Sequence, residues 1–167
     1  MKTKTLFLLV CSLCCFTQLV AQQMTLGFVK NCMAYKRETY TDELKKKHFN
    51  LTRDKVDAPA NMVLAGAALY SNLSKENPKA GEIKVLSLIG SKKITEIVFS
   101  EAYFNNYNEV FKQMVNFFSN QQSFKCEKYK TDVAKFSKDG INYYAYKNGG
   151  LPYIVISDSK LEDTYFK

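Results

Sequence analysis

The sequence predicts a single α+β domain built on an antiparallel sheet of about six strands, with two main helices packed on one face. Two segments have apolar residues at the spacing of an amphipathic helix. Several short runs rich in β-branched and aromatic residues are separated by the turn signals of hairpins. Helices and strands do not alternate strictly, which is the order that a parallel α/β sheet would require.

Two segments carry the helical pattern. In the first, within residues 24–36, Leu26, Val29 and Met33 recur at helical spacing. The second, residues 104–118, is the strongest helix signal in the chain, because its apolar residues form one stripe. This stripe consists of Tyr107, Val110, Phe111, Met114, Val115 and Phe118. Both segments are expected to cover the sheet with these apolar faces.

Runs of β-branched and aromatic residues predict the strands. These runs are residues 49–53, 83–89, 94–99, 124–137, 141–147 and 153–157. Residues 90–93, 138–140 and 148–150 have the composition of hairpin turns, so the strands they join should pair antiparallel. Residues 62–70 are apolar and small, and their periodicity does not separate a buried strand from a helix. The charged residues 42–47 form a short turn or a loop.

The order of one helix followed by strands occurs twice. Residues 29–33 can be aligned with residues 111–115, and each segment lies within a predicted helix that precedes strands. The five positions are similar in type and share one identity, Lys30 with Lys112. A duplicated helix-plus-strands unit and a coincidence are both consistent with so short a match.

The first 21 residues have the organisation of a secretory signal peptide. Lys2 and Lys4 form a basic head, residues 6–16 an apolar run, and Ala21 a small residue at the cleavage boundary. The run is about half of the ~20 residues that a transmembrane helix needs. A membrane anchor, a lipoprotein anchor and a core helix fit this segment less well. We therefore expect a signal peptide over residues 1–21, a single domain over 22–167 without a transmembrane span, and an exported protein, periplasmic or secreted.

The chain is basic, with 24 lysines and arginines against 16 acidic residues and a net charge of +8. Cleavage after residue 21 removes Lys2 and Lys4 and leaves a net charge of about +6. Export argues against nucleic acid as the partner. An acidic protein, an anionic envelope surface and simple solubility remain as explanations of the charge.

No motif with catalytic or metal-binding chemistry stands out. His48 is the single histidine, and there is no CxxC, HExxH or calcium-loop pattern. Cys32 with His48 is a cysteine–histidine pair that a nucleophilic site would use, and Glu96, Glu101 and Glu127 are carboxylates that a hydrolytic pair would use. The sequence therefore predicts no catalytic residue, no metal and no cofactor.

Three of the five cysteines lie within residues 1–21, which leaves Cys32 and Cys126 in the mature chain. In an oxidising compartment these two have one pairing. A disulfide would close about 95 residues and stabilise the fold by roughly 4–5 kcal/mol on the chain-entropy model. Two buried, unpaired thiols are the alternative.

Tyrosine is concentrated on the predicted strand 141–147. Alternation places Tyr144 and Tyr146 on one face and Ile141, Tyr143 and Ala145 on the other. The second set is the more apolar, so Tyr144 and Tyr146 are predicted to face solvent beside lysines. These lysines are Lys128, Lys130 and Lys147. Exposed tyrosine with lysine is typical of a protein-binding surface, whereas half-buried tyrosine in an ordinary sheet is the alternative.

These observations favour an exported, non-enzymatic binding protein whose partner is another protein. One concrete form is a periplasmic inhibitor or immunity-type protein that masks its partner with a sheet face. A small secreted enzyme with a carboxylate and tyrosine site is one alternative, and an envelope-associated structural protein is another.

Overall fold

An antiparallel sheet is the frame of the protein. The structure, a computed structural model, describes residues 24–56, 62–73, 81–162 and 165–166. Within these residues the eight strands are β1 (Asn50–Arg53), β2 (Ala68–Ser71), β3 (Ile83–Ile89), β4 (Lys93–Phe99), β5 (Gln122–Cys126), β6 (Thr131–Lys138), β7 (Ile141–Asn148) and β8 (Leu151–Ser157). They lie in the order β1-β2-β3-β4-β8-β7-β6-β5, and every neighbouring pair is antiparallel.

Three α-helices are found in the described part of the chain: α1 (Leu26–Ala34), α2 (Tyr40–Lys46) and α3 (Phe104–Phe117). Short 3-10 turns occupy Arg37–Thr39, Met62–Leu64 and Glu101–Tyr103. The predicted signal peptide, residues 1–21, lies outside the described residues. Among the described helices, none combines the length and the apolar character that crossing a bilayer requires.

The α+β class and the antiparallel pairing are confirmed, but the sheet is larger than the six strands predicted. The predicted strand 124–137 is two strands, because residues 127–130 form a tight turn in which Lys130 has a φ of 50°. β2 begins within the apolar segment 62–70. The charged residues 42–47 fall largely within α2. The additional strands therefore come from one turn without a glycine and from one ambiguous apolar run.

Each face of the sheet has its own apolar core. All three helices pack on one face, here called the helix face, whose fully buried residues include Val29, Cys32, Leu44, Ile97, Phe99, Met114, Phe136 and Ile154. The opposite face, here called the tail face, is covered by residues from the segments 62–67 and 161–166. Its core contains Leu64, Ala67, Ile94, Cys126, Val133, Tyr144, Tyr146, Val155, Leu161, Tyr165 and Phe166. The sheet is thus the middle layer between a helical cover and an irregular cover.

Hydrogen bonds fix α1 beside α3. Thr25 caps α1, since its side-chain oxygen accepts from the backbone N–H of Phe28 at 3.1 Å. The backbone N–H of Met24 donates to Asn106 Oδ1 at 2.9 Å, and Asn106 Nδ2 donates to the Met24 carbonyl at 2.7 Å. At the other end of α1, Lys93 Nζ donates to backbone carbonyls that the helix leaves without partners. α1 is therefore held at both ends.

The two halves of the sheet repeat one order of elements. The helices α1 and α2 precede the meander β1–β4, and α3 precedes the meander β5–β8. The meanders join where β4 pairs with β8, from Ile94 opposite Ser157 to Val98 opposite Tyr153. Cys32 and Met114, which the short sequence match aligns, are both fully buried on the helix face.

Candidate binding surfaces

Tyr144 and Tyr146 are buried, so the prediction that they project into solvent is wrong. Their side chains are 0% and 3% exposed. The alternation itself is as predicted, because Tyr143 packs in the helix-face core and Tyr144 and Tyr146 in the tail-face core. The Leu161 backbone N–H donates to the Tyr144 hydroxyl at 3.1 Å, and the Phe166 ring lies 5.1 Å from the Tyr144 ring. The residues at the end of the chain cover the face that alternation alone assigns to solvent.

The three predicted lysines do not form one surface with these tyrosines. Lys128 and Lys130 are exposed in the turn between β5 and β6, where the sequence predicted a continuous strand. Lys147 follows Tyr146 on β7, so alternation directs it to the helix face. Lys128 Nζ lies 5.2 Å from the Tyr129 ring centroid. The predicted tyrosine–lysine surface is therefore divided between two faces and a turn.

Cys32 and Cys126 are free, buried thiols, and the predicted disulfide is wrong. Cys32 lies in the helix-face core and Cys126 in the tail-face core, so the sheet separates them. A disulfide requires Cβ atoms about 3.5–4.5 Å apart. Burial raises the pKa of Cys32 to about 12, and Cys126 Sγ donates to the Phe166 carbonyl at 3.0 Å. Both cysteines act as small apolar core residues.

Three tyrosines of the tail face stack in a row near a buried carboxylate. The ring centroids of Tyr129 and Tyr146 are 5.4 Å apart, and those of Tyr146 and Tyr153 are 5.0 Å apart. Burial first, and the charge of Glu96 second, raise the pKa of all three phenols, that of Tyr129 to about 12. At neutral pH these phenols are protonated, so they supply hydrogen-bond donors and not phenolate bases.

A basic and aromatic patch lies where α3 ends. It consists of Lys30, Phe117 and Lys138. The Phe117 side chain is 40% exposed, and its ring packs edge-to-face on the buried Phe118 at 5.0 Å. Lys30 Nζ and Lys138 Nζ lie 4.0 Å and 4.1 Å from the centroid of the same Phe117 ring. We call this set the Phe117 patch.

A small polar cleft of about 210 Å³ lies between α2 and the strands β2 and β3 on the helix face. Its polar lining consists of Arg37, Tyr40, Thr41, Asp54, Tyr70 and Ser87. Thr41 Oγ1 and the Tyr70 hydroxyl are hydrogen-bonded at 3.0 Å. Deeper in the structure, the Tyr40 hydroxyl and Ser87 Oγ each lie 3.3 Å from Thr95 Oγ1. We call this site the polar cleft.

Residues of metal-binding type are dispersed. In the part of the chain that the structure describes, no three His, Cys, Asp or Glu side chains come together as a metal site. His48 is exposed in the turn after α2, with a φ of 63°, whereas Cys32 is buried in the core.

Sequence reasoning missed both the Phe117 patch and the polar cleft. The signal for the patch was an aromatic residue, Phe117, outside the apolar stripe of α3. Val115, which the predicted stripe included, is 41% exposed and lies outside the core. The cleft carries no comparable signal, because its residues come from separate elements that only the fold brings together.

No protein-family model matches the chain, and no curated protein sequence matches it. A solved structure described as a GTP binding regulator from Thermotoga maritima is similar at 12% sequence identity, with a TM-score of 0.34. The match covers 78% of this chain and 82% of that chain. A likeness at this TM-score carries no argument about the fold or the function of this protein.

Proposed function

We propose that this chain is an exported, non-enzymatic binding protein that holds an acidic protein partner through the Phe117 patch. The observation that carries the proposal is the exposed Phe117 ring with two lysine ammonium groups against it. An inhibitor or immunity-type protein of the periplasm is one form that such a binder takes.

The charges of the two patch lysines are not paired with acidic side chains of the described residues. Neither Lys30 nor Lys138 forms an ion pair within the described residues. Their Nζ atoms can be no further apart than the sum of their distances to the ring centroid, 8.1 Å. Two like charges this close attract carboxylates, and electrostatic complementarity of this kind guides association and selects partners.

The apolar part of the patch supplies contact area. Phe117 is exposed on one side and supported by Phe118, which is 2% exposed and packs on Tyr143 at 4.7 Å. An aromatic ring held in this way loses little side-chain freedom on binding. An exposed phenylalanine agrees with the enrichment of aromatic residues at interfaces, and charged groups beside it agree with their polar rim.

The test is affinity capture from the envelope fraction of the source cells with three immobilised proteins. These are the wild type, a patch variant combining Phe117→Ala, Lys30→Gln and Lys138→Gln, and a charge-matched control combining Lys45→Gln and Lys92→Gln. The wild type and the control should retain the same acidic protein, and less of it at about 0.5 M than at about 0.05 M salt. The patch variant should bind it at least about tenfold more weakly.

Equal retention of that protein by the patch variant contradicts the proposal. The proposal is also contradicted if the wild type binds anionic lipid vesicles and retains no acidic protein, since the partner would then be a membrane surface. The control is chosen because Lys45 and Lys92 are exposed and lie on α2 and in the β3–β4 turn, away from α3.

Export is tested separately. Because residues 1–21 carry the basic head, apolar run and cleavage boundary of a signal peptide, the protein recovered from its native host should begin near Gln22. Intact-mass measurement checks this. Recovery of the full-length chain from the cytosol contradicts it.

A further inference from the structure

We infer that the polar cleft binds a small zwitterion, an amino acid or a compound of similar size with one carboxylate and one ammonium group. This inference does not depend on the Phe117 patch, because the cleft lies between α2 and the strands β2 and β3 and shares no residue with that patch.

The charges at the cleft are of opposite sign and unpaired. Arg37 and Asp54 both line it, and neither forms an ion pair with the other or with another described residue. A ligand with a single negative charge would be attracted by Arg37 and repelled by Asp54. A ligand with a single positive charge would be attracted by Asp54 and repelled by Arg37. A ligand with both charges satisfies both side chains at once.

The hydroxyl groups of the cleft leave a donor for the carboxylate. Thr41 and Tyr70 carry two hydroxyl protons, and the hydrogen bond between them uses one. Neither hydroxyl has another hydrogen bond within the described residues, so the second proton remains available. Tyr70 is 3% exposed and its hydroxyl is fixed by the hydrogen bond to Thr41, so the remaining proton of the pair is held in place for a ligand oxygen.

The size of the cleft limits the ligand. Its volume of about 210 Å³ is below the roughly 300–1,000 Å³ of pockets for drug-sized ligands, so it suits a smaller molecule. Ala68 and Ile89 contribute apolar wall. A small aliphatic amino acid has a matching size and an apolar side chain, so we take L-valine and L-alanine as probes.

Isothermal titration calorimetry with the purified protein tests the inference. L-Valine or L-alanine should bind saturably with a stoichiometry of one. The single-charge analogues isobutyrate and isobutylamine should bind at least about tenfold more weakly than L-valine. Arg37→Gln and Asp54→Asn should each weaken L-valine binding about tenfold or more, since each removes one of two charge-assisted contacts.

The controls are Lys36→Gln and Arg53→Gln, exposed neighbours of Arg37 and Asp54 that do not line the cleft. Both should bind L-valine with wild-type affinity, and thermal melts should show all four variants folded. The inference is overturned if no proteinogenic amino acid binds saturably, or if an analogue with one charge binds as tightly as the best zwitterion. It is also overturned if the controls lose as much affinity as the cleft variants.

Discussion

Each face of the sheet has a buried apolar core, but different kinds of segment cover the two faces. The helix face is closed by three helices, and Phe136 on that face is fully buried. The tail face is closed by residues from two short segments, yet Tyr144 on that face is fully buried as well. On the helix face the cover is divided among separate elements. Much of the tail-face cover consists of a few residues at one end of the chain, so one change there can open the face.

The largest expected effect is therefore removal of the tail cover. A chain ending at Lys160 lacks Leu161, Tyr165 and Phe166, which are each 0–1% exposed. Apolar burial of about 1.5–3 kcal/mol for each side chain gives a loss of about 5–9 kcal/mol. That is comparable with the whole stability of a typical domain. Calorimetry should show a greatly lowered or absent unfolding transition, and an unchanged Tm would show that the tail cover is dispensable.

A single deletion in the helix cover should cost less than loss of the tail. Met114 is 0% exposed, so Met114→Ala should lower the free energy of unfolding by about 2–5 kcal/mol. Phe111→Ala should cost less than full burial implies, because that ring is only partly buried. Val115→Ala, at an exposed site on the same helix, is the matched control. Urea denaturation measures all three, and a Met114→Ala effect under about 1 kcal/mol contradicts this packing.

A smaller effect is expected where charge holds the tail to the sheet. Lys135 on β6 and Glu162 form a short ion pair in which the side chains are 13% and 14% exposed. Glu162→Gln leaves the lysine charge mostly buried, so we expect a loss of about 1–3 kcal/mol. Adding Lys135→Met to Glu162→Gln should restore part of the lost stability, because this second substitution removes the unpaired lysine charge. A double-mutant cycle measures this coupling, and additive losses would show that the pair contributes nothing.

The smallest expected effect on stability comes from tyrosine ionisation. It is absent at neutral pH and appears only in alkali. Burial raises the pKa of Tyr107 on the helix face and of Tyr144 on the tail face to about 12, from an ordinary value of 10.0. The unfolded chain therefore loses these protons first, and stability falls as pH rises from about 10 through 12. Absorbance at 295 nm should show the last tyrosines ionising together with the unfolding that circular dichroism reports. Complete ionisation near pH 10 with the fold intact would contradict the burial of both residues.

The contrast between the faces also explains how far the sequence could be interpreted. Amphipathic helices and glycine-containing turns have local signals, so the α+β class and the β7 alternation were predicted correctly. The turn before Lys130 has no glycine, which concealed the division of β5 from β6. Nothing in the sequence marks Leu161, Tyr165 and Phe166 as a cover, so Tyr144 was assigned to solvent. Residues of the polar cleft, such as Arg37 and Ser87, are neighbours only through strand pairing and helix packing.

The join between β4 and β8 has a consequence for synthesis of the chain. β8 is the last of the described strands in sequence, yet it pairs with β4 in the middle of the sheet. Until β8 has been made, β4 has an unpaired edge along the β-rich sequence Ile94–Phe99. Such an edge can pair with other chains and aggregate. A nascent or truncated chain is therefore most exposed to aggregation at the centre of its future sheet, and only completion of the last strand protects it.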